Sequence, residues 1–556
     1  MSAAVSTAAL PLRHRAAPTT PASAPRVARA GSKDVGRRIV FWSCLLVYGL
    51  LGVWLIVNDY IFPDSMSRVA NAYYVLFSRD PRLAAIGFVW NPLPSLAVLP
   101  LLVVAPVFKF MASGVLAGVI VSVLCGAATV SQTYRLLAML GSGRLAQGVL
   151  TAAMALHPLI VLAAATGASE AMLLVTCLFV TIHLMLWLLE DDPWHLVLVG
   201  VGCGTAYFVR YEALAMGPTV GALVLAVSLA RSRDRRAPRA AAMTDTLLAV
   251  APLATAFIVW ALMSRLIVGS WLETFTSEYG NTAQVGSYRT GIAAATGSTA
   301  VERMAHVVEQ LANTAPLLLP VVGLAAWVAV MRNDPRIAAP LATFGAILGF
   351  QWLTFVAGSS FGWMRFQIAA IPLVVLASGY LAGSLSRAER TGGLVPPAGA
   401  GRRAASVAVV AALVLSLPVA WRALANPELA REEHQAALAV REGRYPMLRQ
   451  AAAQIDGMGL PEGSIITDAA YTFPIILYSD RPKQFIITPD RDFDEVVDDP
   501  PAHGVSYALV ADETFAPADS VRRRHPHLWD GGGNATLVAA WSNNEGREWR
   551  LYQFNP

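Results

Sequence analysis

Charge is scarce in this chain, and what basic charge it has is almost all arginine. Only 14% of the 556 residues are charged, against 55% hydrophobic residues, and lysine occurs only at Lys33, Lys109 and Lys483. Soluble domains carry about 25% charged residues, so this composition excludes an ordinary water-soluble protein. The net charge of +5 is spread over short arginine clusters beside apolar runs, as in the loops of membrane proteins, and nucleic acid is not an expected partner. Because arginine is the default cation, no single Arg is by itself a sign of a phosphate fork. Cysteine is equally scarce. Cys44, Cys125, Cys177 and Cys203 all lie in apolar stretches without metal-ligand or disulfide spacing, which makes them small core residues.

Long hydrophobic runs are what the sequence has in excess, with a mean hydropathy of +0.51. A helix needs about 20 apolar residues to cross a bilayer. Runs that meet or approach this length lie near 39–58, 112–134, 145–167, 170–189, 194–210, 213–231, 243–268, 313–331, 337–357, 366–385 and 405–425, giving about eleven crossings. The stretch 93–110, LPSLAVLPLLVVAPVFKF, is apolar too, but Pro94, Pro100 and Pro106 make a straight span costly. With eleven crossings, the arginine-bearing loops 231–239, 331–336 and 386–403 share one side with residues 1–37, a basic tail read as disordered and cytoplasmic. A twelfth crossing would break that agreement. Residues 93–110 are therefore expected to lie in or dip into the outer leaflet.

The organisation is thus a tail (1–37), a transmembrane domain (38–426) with outward loops at 59–111 and 270–312, and a C-terminal domain (427–556). In the last, short β-like runs such as SIITD, QFIITP, YALVAD, TLVAAW and WRLYQF follow a charged helical segment, the pattern of a soluble α/β unit. DGGGN at 530–534 does not join a strand to a helix in a βαβ unit and is read as a loop.

The outward side collects the polar residues. Asp59 and Asp64 stand in VNDYIFPDSMSR directly after the first span, with Arg68 one turn on. Met66, Val69, Ala70, Tyr73, Tyr74 and Phe77 then recur at helical spacing, so Asp64 opens an interfacial helix and serves either as its cap or as a catalytic acid. Glu170 emerges in TGASEA, and Arg210, Tyr211 and Glu212 interrupt two apolar runs in FVRYEA. The loop 270–312 holds Tyr279, and WMRFQIAAIP places Trp363, Arg365 and Gln367 at the mouth of a late span. An arginine between apolar runs reads equally as a partner in a salt bridge and as an anion contact. His157, beside Pro158 in mid-span, reads as a packing residue at a kink, and His183 is treated alike.

The order of these elements, with an acid outside the first span, an interfacial helix, the WNPLP segment, a second acid after the third span, an Arg at a late span and a soluble outer domain, resembles the GT-C fold glycosyltransferases. These membrane enzymes, among them protein mannosyltransferases and aminoarabinose transferases, transfer sugars from polyprenyl-phosphate carriers. The resemblance covers residues 39 to 425 in architecture. It implies an integral enzyme of the cytoplasmic membrane, N-terminus inside and C-terminal domain outside, moving a hexose or pentose to an acceptor hydroxyl by inverting displacement. The implied partners are a polyprenyl-phosphate-linked sugar, membrane lipids and a cell-envelope glycan, lipid or protein acceptor.

On this likeness Asp64 is the base and Glu170 a second acid that positions the acceptor; Arg210, Arg365 and Arg68 contact the donor phosphate, and Asp59, Tyr211, Glu212, Tyr279, Trp363 and Gln367 line the substrate site. A Mg²⁺ or Mn²⁺ site would want several oxygen ligands at one point, whereas a lone Glu170 stands where the family carries an Asp or an acid pair. Two rivals share the apolar composition: a transporter or flippase of lipid-linked sugars, and a non-catalytic assembly factor whose outer domain binds a partner. A transporter would carry its polar residues at midplane, often in two related halves. Neither feature is present in the sequence.

Overall fold

The structure is a computed structural model that describes residues 35–231, 238–386, 400–530 and 535–555. Most of the basic tail, parts of the arginine-rich loops at 231–239 and 386–403, and nearly all of DGGGN lie outside the described residues.

Helices dominate. Among the described residues eight are long and apolar enough to cross a membrane, and ten crossings result if each of two bent pairs counts as one. The eleventh expected crossing is Pro193–Val209, at 17 residues just under full length but packed between Ser169–Glu190 and Pro238–Ile267. One bent pair, Arg144–Ala155 and Pro158–Ala165, turns by 60° at His157 and Pro158. His157 Nε2 meets the Thr314 carbonyl at 3.0 Å there, a packing role. The other pair, Ala300–Thr314 and Leu318–Arg332, turns by 83°, so the crossing expected at 313–331 is a 15-residue helix fed by a helix nearly perpendicular to it. The doubtful stretch forms a helix at Leu93–Leu102, then turns. Ten residues rise only about 15 Å, half the hydrocarbon core, so this helix is too short to span it by itself.

Glycine permits close helix contacts. A Cβ on Gly200 would lie 2.6 Å from the Leu248 carbonyl oxygen, a backbone atom with nowhere to move. We expect Gly200→Leu to part these two helices and cost about 1–3 kcal/mol or more, read as a lower unfolding temperature in detergent.

The two ends of the bundle differ in chemistry. At one end Arg231 reaches Asp191 at 2.7 Å, Arg332 the Ser384 carbonyl at 2.7 Å and Arg336 the Leu140 carbonyl at 3.2 Å. The other end carries the C-terminal domain. That domain is a five-stranded sheet of order β2-β1-β3-β5-β4, with β1 (Ile465–Thr467), β2 (Phe485–Ile487) and β3 (Tyr507–Ala511) parallel, and β4 (Ala535–Ser542) and β5 (Glu548–Phe554) antiparallel to their neighbours. Strands β1, β2 and β3 are apolar and mostly buried on both faces, as parallel strands are.

Ion pairs fasten the sheet domain to the first loop. Arg79 pairs with the buried Asp490 at 3.3 Å and with Asp492, Arg491 holds Asp80 at 2.9 Å, and Lys109 donates to the Tyr478 carbonyl at 2.6 Å. Exposed pairs of this kind are worth about 0–1 kcal/mol each. Their number along one seam fixes orientation more than stability. Tyr445 Oη adds a buried hydrogen bond to the Ile61 carbonyl at 2.8 Å, which ties the domain to the residues just before Asp64.

Candidate active site

Asp64 lies in the helix Pro63–Phe77, which starts where proline is favoured, at the first helical position. Phe62 is the cap residue and no side chain closes the first turn, so Asp64 is not a cap. Its carboxylate instead takes Arg365 Nη2 at 2.8 Å. Ser65 Oγ, on the next residue, donates to the Thr166 carbonyl at 2.6 Å and pins this turn against the segment that leads into Glu170.

Arg210 and Arg365 each serve several acids. Arg210 leaves the end of Pro193–Val209 in extended conformation, where a helix can no longer satisfy its own backbone, and its guanidinium bonds Glu170 at 2.9 Å and also Glu212. Arg365 comes from a short 3₁₀ turn, Met364–Gln367, and besides Asp64 lies 3.9 Å from Glu170 and 3.4 Å from Glu432. The Arg365 amide also donates to Glu433 at 2.7 Å. Arg68 is different: among the described residues it makes no hydrogen bond and no ion pair. It faces the cavity with its charge uncompensated by contact.

That cavity, about 640 Å³, opens between the loop helix, WNPLP, the FVRYEA turn and WMRFQ, lined by Asp64, Arg68, Asn91, Arg210, Tyr211 and Arg365 among others. Glu212 and Trp363 also border it. Glu170 does not, being 3% exposed beneath the arginines it holds. Three of the expected substrate contacts are placed elsewhere. Asp59 grips Arg449 of the sheet domain at 2.9 Å, Tyr279 donates to Asp468 at 2.7 Å, and Gln367 accepts from Trp352 Nε1 at 2.8 Å. Each polar group has been taken by a neighbour that the sequence order does not bring near.

Asp64 is half exposed, but to the lumen and not to bulk water. Burial among protein atoms raises its pKa, and Arg365, Arg68 and Arg210 more than offset this, holding the carboxyl below its usual range and ionised. Glu432 behaves oppositely: burial pushes it up to about 8 despite Arg365, with Asp64 and Glu433 adding to the rise. Five carboxyls share three arginines here, and Glu432 keeps its proton at neutral pH. It ionises only as pH rises through about 8, adding a negative charge beside Arg365 that opposes any further anion there. For a non-titrating lipid phosphodiester analogue in nanodiscs we expect affinity to fall above about pH 8, and Glu432→Gln to abolish that decline.

The fit to a divalent metal is poor. Asp64 and Glu170 are each occupied by guanidinium groups, and among the described residues no three His, Cys, Asp or Glu side chains gather as ligands. The cationic component of the site is arginine. Glu432 and Glu433 went unnoticed in the sequence because REEH follows the last span by only a few residues and reads as a solvated linker.

Acids and arginines gathered at one end of a helical bundle, under a helix of the first loop and a C-terminal sheet domain, define the GT-C architecture. The chain has that fold. ArnT of Cupriavidus metallidurans bound to undecaprenyl phosphate superposes with a TM-score of 0.51 at 14% identity, over 93% of this chain and 98% of that one. The apo form gives 0.52 at 14% identity, over 94% and 98%. The archaeal oligosaccharyltransferase AglB from Archaeoglobus fulgidus, in complex with an inhibitory peptide and a dolichol-phosphate, gives 0.42 at 11% identity, over 92% and 74%. No family model matches the sequence, and no curated protein matches it.

Proposed function

We propose that this protein is a membrane glycosyltransferase that moves a sugar from a polyprenyl-phosphate donor to an acceptor hydroxyl, with inversion at the anomeric carbon. The observation that carries the reading is the convergence of Arg68, Arg210 and Arg365 with the ionised Asp64 in one cavity at the membrane end of the bundle. The undecaprenyl phosphate bound by a protein of the same fold supports the choice of donor. Arginines clustered at the opposite end support the reading that this end is cytoplasmic and that the cavity and the sheet domain face outward.

In this mechanism the phosphate of the donor sits against the arginines and its polyprenyl chain stays in the lipid. The acceptor oxygen attacks the anomeric carbon from the side opposite the phosphate, the carbon–oxygen bond to phosphate breaks, and the bonding pair leaves on the phosphate. Its charge rises by one, and the guanidinium groups meet that rise where it develops. The acceptor proton passes to Asp64. A carboxylate with a lowered pKa is a weak base, so proton transfer comes late, when the new bond has already made the hydroxyl acidic. Glu170 acts through the arginines as a positioning residue. In the transfer assay, purified protein in nanodiscs is expected to release polyprenyl phosphate and a glycoside in equal amounts; absence of both with every available polyprenyl-phosphate sugar would remove the proposal.

A further inference from the structure

A second chamber, about 880 Å³, adjoins the cavity across Trp363 and the Arg365–Glu432 pair. It lies between the helices Arg289–Thr296 and Ala300–Thr314, the turn at 361–364 and the segment 428–435. Its charge is the reverse of the first: Glu428, Glu432 and Glu433 face it with Arg431 as the one arginine of its lining. Two side chains in its wall are buried with an atom left unpaired, Gln310 through Oε1 and Glu433 through Oε2, each residue only 2% exposed. The Gln310 amide nitrogen is spent on the Leu429 carbonyl at 3.2 Å, and Glu433 Oε1 on the Arg365 amide.

The vacant Gln310 oxygen accepts, and the Glu433 carboxyl, pushed up by burial, accepts or donates, so a hydroxyl group, which does both, suits the pair. Leaving such groups unpaired costs about 1–3 kcal/mol each, an outlay that a ligand rich in hydroxyl groups removes. Phe361 and Trp363 stack with centroids 4.2 Å apart and planes 11° apart, and Arg365 covers the other face of Trp363 at 4.6 Å, so the pair borders the chamber as an apolar aromatic stack of the kind that packs against the C–H groups of a sugar. Phosphate or carboxylate ligands find here only Arg431 among the described arginines, beside glutamates, and nothing like the arginine cluster of the first cavity.

We propose that this chamber is the acceptor subsite and that it takes an uncharged carbohydrate, whose hydroxyls pair with Gln310 and Glu433 while its C–H groups pack against the Phe361–Trp363 pair. This rests on the transferase reading for the word acceptor, but the binding itself does not. The test is calorimetry on the full chain in nanodiscs with neutral trisaccharides of glucose, mannose and arabinose, and with trigalacturonate as the anionic control. At least one neutral trisaccharide is expected to bind, trigalacturonate is not, and Gln310→Leu and the chamber-filling Ile292→Trp should each weaken binding at least about tenfold. Undecaprenyl phosphate affinity, measured on the same samples, should be unchanged in both variants.

Binding of no neutral sugar, equal binding of trigalacturonate, or full affinity in both variants would overturn the proposal. Sugar binding without lipid-phosphate binding would uphold the chamber and overturn the transferase reading instead.

Discussion

Replacing Asp64 by asparagine is expected to lower sugar transfer by about 10²–10⁴-fold, the usual contribution of a positioned acid or base. Asparagine keeps the shape of the side chain and can still accept a hydrogen bond from Arg365, so folding should survive. What it cannot do is take a proton. Lipid-phosphate affinity should hold or rise slightly, because one negative charge has left the neighbourhood of three guanidinium groups. A large loss of turnover with intact donor binding is therefore the signature of the role assigned here. If transfer by Asp64→Asn equalled the wild type, the base would have to be sought elsewhere in the cavity.

Arg68 and Arg365 should respond to alanine in opposite ways. Arg68 has no ion pair among the described residues, so its removal leaves no acid stranded; the loss should be one charge-assisted contact to phosphate, about 1.5–3 kcal/mol, or roughly 10- to 150-fold in Kd, with the unfolding temperature little changed. Arg365 is 7% exposed and faces Asp64, Glu170, Glu432 and Glu433. Its removal would leave buried carboxylates without their cation and cost about 3–5 kcal/mol of stability. Thermal unfolding and lipid-phosphate titration on the two variants separate a ligand contact from a structural hub. Equal destabilisation of both would contradict the assignment of Arg68.

The parts of this arrangement that were legible in the sequence are those governed by local patterns. Apolar length gave the spans, the prolines of 93–110 marked a helix that ends at Leu102, and the helical spacing from Met66 to Phe77 gave the helix that carries Asp64. Arg210 and Arg365 stood out because charge is costly between apolar runs. What stayed hidden depends on contacts between distant segments. Asp59, expected among the substrate contacts, is taken by Arg449 of the sheet domain, 390 residues away. Tyr279 was likewise spent on Asp468, and the wall built from Glu432 and Glu433 formed only when the chain after the last span folded back on Arg365. The break near Thr314 falls where the polar helix Ala300–Thr314 gives way to the apolar Leu318–Arg332, with Pro316 between them, and the run expected from 313 starts at that point.

The most direct test of the central claim is the stereochemistry of one turnover. A polyprenyl-phosphate sugar of known anomeric configuration is incubated with the purified full-length chain in nanodiscs, and the glycoside formed is examined by nuclear magnetic resonance. Direct displacement at a cavity of arginines with one base predicts stoichiometric release of polyprenyl phosphate and a product of inverted configuration. A product that retains the donor's configuration, or donor that crosses the bilayer unchanged with no glycoside formed, would contradict it.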